Sequence, residues 1–154
     1  MKDWQELSEG VEVSIQGANF NVSQLLIATN GFASHLGVES VKPARAQVLI
    51  TKPIQELSIK GTFHLDKGYY YFRNINNRIL FGGGRNLDFK TEETISMGET
   101  ELVQNELERL LSEVILPETS FEIDTRWSGI MGVGTQKKPI VQSLSDHVHC
   151  GVRH

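Results

Sequence analysis

The sequence has little cysteine, no long apolar run and no surplus of positive charge. Its single cysteine, Cys150, can form no internal disulfide and stands in no C-x-x-C pair. A disulfide framework and dithiol redox chemistry are therefore excluded, and the usage fits a reducing, cytoplasmic compartment. No stretch approaches the roughly 20 apolar residues that a bilayer-spanning helix needs. The opening Met1-Lys2-Asp3-Trp4 lacks the basic-then-apolar pattern of a secretory signal. Against 19 Asp and Glu stand 15 Lys and Arg, so no extended positive field draws in a phosphate backbone, and nucleic acid is not an expected partner. What remains is an ordinary globular composition, 154 residues with 39% apolar, enough to bury a core.

Hydrophobic periodicity then orders the chain. Val11, Val13 and Ile15 alternate up to the turn formers Gly17-Ala18-Asn19, Phe20 and Val22 alternate again, and Leu25-Leu26-Ile27-Ala28-Thr29 is apolar throughout until Asn30-Gly31. Arg45 to Thr51, bracketed by Pro43 and Pro53, reads as another strand. The β-branched and aromatic segment from Thr62 to Gly84, broken at Lys67-Gly68 and Asn76-Asn77, predicts a three-stranded meander over 62–65, 69–74 and 78–83. Residues 99–115 switch period: Leu102, Val103, Glu106, Leu107, Leu110, Leu111 and Val114 form one stripe, predicting a single long helix stopped by Pro117. Alternation resumes at Phe121, Ile123, Thr125 and Trp127, and short strands follow near 138–142 and 147–152. The expected class is α+β, a mostly antiparallel sheet covered on one face by that helix.

Several constellations offer chemistry. Gly82-Gly83-Gly84-Arg85 and the glycines from Gly129 to Gly134 are rich enough for a phosphate cradle, but neither has the order G-x-G-x-x-G nor lies between a strand and a following helix. Their other reading is close approach of a second backbone or a flat ligand. Alternation places Tyr69, Tyr71 and Arg73 on one face of a strand, either lining a polar pocket or covering a sheet. Arg126-Trp127-Ser128-Gly129 sets a large aromatic beside an open position, as a ligand wall or as core packing. His147, His149, His154 and Cys150 lack the second ligand pair of a tetrahedral site, so no metal is expected, and Cys150 between Val148 and Val152 reads as a buried thiol. No spacing brings any two of Asp66, Asp88, Glu92, Glu93 and Glu122 face to face.

Read in order, Leu26-Ile27-Ala28-Thr29-Asn30-Gly31-Phe32, Lys42-Pro43-Ala44-Arg45-Ala46-Gln47-Val48, Gly68-Tyr69-Tyr70-Tyr71-Phe72-Arg73, Arg78-Ile79-Leu80-Phe81-Gly82-Gly83-Gly84-Arg85 and Arg126-Trp127-Ser128-Gly129-Ile130-Met131-Gly132 resemble the D-amino-acid oxidase-like FAD-dependent oxidoreductases. The resemblance implies a flavoenzyme oxidising the C–N bond of a small amine or amino acid, with FAD as cofactor. Members of that family are more than twice this long and carry a G-x-G-x-x-G strand for the FAD pyrophosphate, which this sequence does not contain. By the resemblance, the chain is a fragment: residues 1–42 an edge of the FAD-binding domain, 43–134 the substrate-binding sheet and helix, and 135–154 strands returning to the FAD-binding domain. Alone it is expected to be inactive and to retain no FAD.

Carried over by position, Ala28, Thr29, Asn30, Gly31, Arg45, Gly129 and His154 are the expected cofactor contacts, and Tyr69, Tyr71, Arg73, Trp127 and Met131 the expected substrate contacts. No catalytic base is assigned, because a flavin carries out the redox step. Three departures stand out: Ala46 for a family glycine, Gln142 for another, and Met131 where amino-acid oxidases of this family place the arginine that grips a substrate carboxylate. The last points toward an amine substrate, with Arg73 or Arg85 as alternative anion contacts. The competing expectation is a self-contained, non-enzymatic β-rich module that binds a ligand or protein. In either case exposed faces would permit a homodimer.

Overall fold

A computed structural model describes residues 3–134, 136 and 138–152. In chain order its strands are β1 (Asp3–Leu7), β2 (Gly10–Ile15), β3 (Ala18–Val22), β4 (Leu25–Ile27), β5 (Lys42–Thr51), β6 (Thr62–Leu65), β7 (Tyr70–Ile75), β8 (Arg78–Gly83), β9 (Ile123–Val133), β10 (Ile140–Ser143) and β11 (Val148–Val152). Helical residues are few: short 3₁₀ turns, α1 (Phe89–Glu92) and α2 (Glu101–Leu110). The protein is thus rich in strands, almost all paired antiparallel, as the alternating sequence requires. Among the described residues no helix is long and apolar enough to cross a membrane.

Two compact units divide the chain, Met1–Ala44 with Ile130–His154, and Arg45–Gly129. In the first, β1-β2-β3 form one sheet and β10-β11-β4 another. β11 runs parallel to β4, with Cys150 opposite Ile27. Its core gathers Val11, Val13, Ile27, Ala33, Val38, Val41, Val148, Cys150 and Val152. β1 is an element that its sequence does not announce, since Asp3 to Leu7 carries no apolar alternation and is almost wholly exposed.

In the second unit the sheet order is β6-β7-β8-β5-β9. The β7–β8 hairpin turns on Asn76 and Asn77, both at positive φ (49° and 57°), as the mirror-image turns that suit a right-twisted ribbon demand. Phe72, Phe81 and Leu49 lie side by side across three strands and pack with Val103, Leu107, Leu111, Ile115 and Leu116. Each such side chain contributes about 1.5–3 kcal/mol by leaving water. The helix expected over 99–115 is instead ten α-helical residues that widen into a π-helical turn over Leu111–Ile115. The Leu116 N–H reaches back to the Leu111 carbonyl (2.8 Å). The wide turn just before Pro117 lets Leu111, Ile115 and Leu116 all be buried.

Candidate functional site

The register of the second unit decides which side chains share a face. Tyr71 pairs with Gly82 and Gly82 with Val48, in the row next to Phe72, Phe81 and Leu49. Because successive side chains point to opposite faces, Tyr71 and Arg73 lie on the face turned away from α2. On β9, Arg126 and Ser128 turn toward the helix. Arg126 Nη1 donates to Gln104 Oε1 (2.6 Å), its Nη2 donates to Glu108, and Ser128 Oγ accepts from the Gly98 N–H (2.9 Å). Trp127 and Gly129 therefore open on the same face as Tyr71. So does His64, which stands opposite Tyr71 across β6 and β7. The sequence reading passed over His64, although alternation through Thr62–Leu65 was the signal that could have found it.

On this face Tyr71 reclines across β8, its hydroxyl 2.7 Å from the point a Gly82 Cβ would occupy. Burial pushes the Tyr71 phenol above its ordinary value, so it stays protonated. Arg73 is exposed, its Nε donating to the Asn74 carbonyl (3.4 Å). Trp127 is 39% exposed, and apart from its chain neighbours nothing among the described residues lies within 4 Å of where a Gly129 Cβ would be. Tyr69 does not share the face. It sits in the turn after Asp66–Gly68, with φ −70° and ψ −21°, and meets Phe89 edge-on at 6.1 Å. Arg85 stacks its guanidinium over that same Phe89 ring at 4.9 Å.

Arg45 points to the α2 side. Its Nε and Nη2 donate to the two oxygens of Glu92 (2.8 and 3.0 Å), a bidentate pair whose carboxylate is 1% exposed. Gln47 and Thr100 also donate to Glu92, at 2.9 and 3.3 Å, and Gln104 donates to Gln47 at 3.2 Å. Burial alone would raise the Glu92 carboxyl. The bonds from Arg45, Gln47 and Thr100 together with the Arg45 charge outweigh it and hold the group below the usual carboxylate range. The Arg45 guanidinium is correspondingly raised by its bond to Glu92. The network ties β5, the segment 92–100, α2 and β9 together beneath the open face.

In the first unit Ala28, Thr29 and Asn30 are exposed beyond the end of β4. Asn30 adopts φ 51°, and its Oδ1 accepts from the Gly132 N–H (3.0 Å). Gly31 is buried against the Met131 backbone, whose carbonyl oxygen would lie 2.4 Å from any Cβ. The Met131 side chain is 43% exposed. His149 is held between Ser143 Oγ (2.9 Å) and Gln24 Oε1 (2.6 Å), and Cys150 is buried. No metal-binding cluster exists among the described residues. His154 lies outside the described residues.

The glycine clusters separate on inspection. A Cβ at Gly83 would meet the Tyr69 carbonyl oxygen at 2.2 Å, one at Gly84 would meet Val103 at 3.0 Å, and one at Gly132 would meet Asn30 Oδ1 at 2.8 Å. These glycines admit neighbouring protein, and Gly129 is bare. Compared with known proteins, residues 3–154 match the family model DAO, FAD dependent oxidoreductase. No curated protein matches. Among solved structures, glycine oxidase from Geobacillus kaustophilus superposes with TM-score 0.77 at 18% identity, over 99% of this chain and 42% of that one. L-proline dehydrogenase from P. horikoshii gives TM-score 0.75 at 16%, over 98% and 42%. Iminodiacetate oxidase from Chelativorans sp. BNC1 gives 0.72 at 13%, over 97% and 42%. The chain thus spans about two-fifths of the length of these structures, and it belongs to the DAO family of FAD-dependent oxidoreductases.

Proposed function

We propose that this chain supplies the substrate-binding sheet, and an edge of the cofactor-binding part, of a flavoenzyme that oxidises a C–N bond in a small amine or amino acid. The observation that carries the reading is the open face beside Trp127 and Gly129, where a strand inside a family-matching fold offers a bare glycine next to a half-exposed indole. A flat ring fits such a place. A phosphate cradle does not emerge from the other glycines of the two clusters, whose Cβ directions are filled by protein. The residues present therefore suit a contact with the ring of FAD and leave its pyrophosphate to other elements. When bound, FAD supplies the acceptor for a hydride equivalent from the carbon next to nitrogen.

This chain's own residues bind and orient. Tyr71 and Trp127 shape the face that receives the substrate and shed water from it. Arg73 stands ready for an anionic group. Arg45 acts through Glu92, fixing the layer below. Residues 28–31, with His154, serve the cofactor edge. Met131, a thioether with no charge to offer, favours amines over amino acids that must be gripped by their carboxylate. The proteins it resembles are named for glycine, L-proline and iminodiacetate, all of which join an amine to a carboxylate, so the choice is an experimental one.

Initial rates of the full-length protein with short alkylamines and N-alkylamines, against simple D-amino acids, test the reading. Faster oxidation of amines is the expected result, and faster oxidation of D-amino acids would overturn the amine preference. The 154-residue chain purified alone, mixed with FAD and passed over a desalting column, is expected to emerge colourless. A stoichiometric flavin spectrum would show that it holds the cofactor without further elements.

A further inference from the structure

Three glycines in a row, Gly82 to Gly84, look interchangeable in the sequence, yet Gly82 differs from its neighbours in what its missing side chain leaves room for. A Cβ there would lie 2.7 Å from the Tyr71 hydroxyl oxygen, 2.8 Å from the ring carbon bearing it and 3.1 Å from the Gln47 carbonyl oxygen. The phenol has therefore folded down from β7 across β8 toward β5, a reach of about one 4.8 Å strand spacing. Any side chain at 82 would lift it. Tyr71 makes no hydrogen bond through its hydroxyl among the described residues; on this face its cross-strand partners are His64 on β6 and Gly82 on β8, and Arg73 follows two residues along β7.

We propose that Gly82 is a positioning residue of the site: it lets the Tyr71 phenol recline, so that the hydroxyl is offered over the middle of the sheet as a donor to a hydrogen-bond-accepting group of the substrate. The inference rests on the reading of the open face as a substrate site. It is physically distinct from ordinary close packing because the two atoms most in the way, at 2.7 and 2.8 Å, are the far end of a rotatable side chain. The backbone at Gly82 has no positive φ, so alanine meets no dihedral strain there; the phenol is displaced, and the Gln47 carbonyl at 3.1 Å has only a few tenths of an ångström to give.

The test uses the full-length enzyme with the substitutions Gly82→Ala, Tyr71→Phe and both together. Expected is a KM raised about tenfold by each single substitution, as loss of one substrate hydrogen bond implies, with kcat changed far less. The double variant should be no worse than Y71F, since a misplaced hydroxyl and a missing one remove the same contact. An unchanged KM in G82A, or losses that multiply in the double variant, would overturn the proposal. A second readout needs no turnover. In a spectrophotometric titration of the same enzyme, G82A should make one phenol ionise at lower pH than in the unsubstituted protein, and that phenol should vanish in G82A/Y71F. An unchanged titration would refute the reclined placement. Absence of turnover with any amine or amino acid would instead overturn the reading of the site, and with it the substrate contact, while the titration still decides the placement.

Discussion

Gly82 and Gly83 are adjacent in the chain and opposite in what they tolerate. Gly83 adopts φ +132°, and its Cβ would strike the Tyr69 carbonyl oxygen at 2.2 Å and the Tyr70 Cα at 2.7 Å, backbone atoms that cannot swing aside. Gly83→Ala is therefore expected to destabilise the protein by roughly 3 kcal/mol, combining strained backbone with steric conflict. A urea denaturation curve displaced by less than 1 kcal/mol would contradict this. Gly82→Ala should leave the same curve almost in place. Sequence spacing shows that glycines cluster here and that a backbone or a flat group comes close. It cannot show which glycine serves which neighbour, because the answer depends on Tyr69 and Tyr71, whose directions are set by a turn and a register. Tyr69 illustrates this: strict alternation from residue 69 puts it beside Tyr71, but the strand starts at Tyr70 and Tyr69 turns to Phe89.

Glu92 shows how elements are fastened. Its carboxylate, almost wholly buried, gathers Arg45 and Gln47 from β5 and Thr100 from the start of α2. Thr100 gives its hydroxyl to this network and makes no side-chain cap for the helix it precedes. Glu92→Gln would leave the buried Arg45 cation without its counter-charge, at a cost of roughly 3 kcal/mol near neutral pH. Because the folded-state value of Glu92 is depressed, its contribution is complete above the unfolded glutamate value of about 4.3. It is lost as pH falls through the lower folded value. Wild-type stability should thus decline below about pH 4.3 while the E92Q difference shrinks, measured as urea midpoints at neutral and acid pH. A gap that widens toward acid would refute the assignment. Elements with strong periodicity were legible: β2, the β6–β8 meander and the apolar stripe of α2. The Arg45–Glu92 pair was not, for its partners lie 47 residues apart and no local pattern announces them. Resemblance marks Arg45 as near a cofactor, and the structure shows its guanidinium spent on Glu92.

At the scale of the molecule, the sheet β10-β11-β4 is unevenly covered. Ile27, Val148, Cys150 and Val152 are buried on one side. Leu26 and Val141, in register with His149 and Gly151 on the other side, are 65% and 81% exposed. Sheets with parallel pairing are normally covered on both faces, so this side is an adhesive surface in the isolated chain. The 154-residue chain is expected to self-associate with rising concentration in sedimentation velocity, and Leu26→Lys with Val141→Lys to restore a single slow species. A wild-type chain that stays monomeric at high concentration would disprove it. Composition and pattern made the class of fold legible, and the order of five motifs made the family so. The resemblance implies boundaries at 42/43 and 134/135; the compact units of the structure are Met1–Ala44 with Ile130–His154, and Arg45–Gly129, a division that follows from which strands pair across the chain.

That division also sets a timetable. Arg45–Gly129 is continuous, so its sheet and helix can close while the ribosome is still adding later residues. β4 pairs only with β11 among the described residues, Leu25 with Val148 and Ile27 with Cys150. It must therefore wait through the synthesis of more than a hundred residues with its backbone donors and acceptors open to water or to any passing strand. Within this stretch of chain an apolar run made early is paired late, which makes this strand, and not the larger sheet, a place where the nascent chain needs a chaperone.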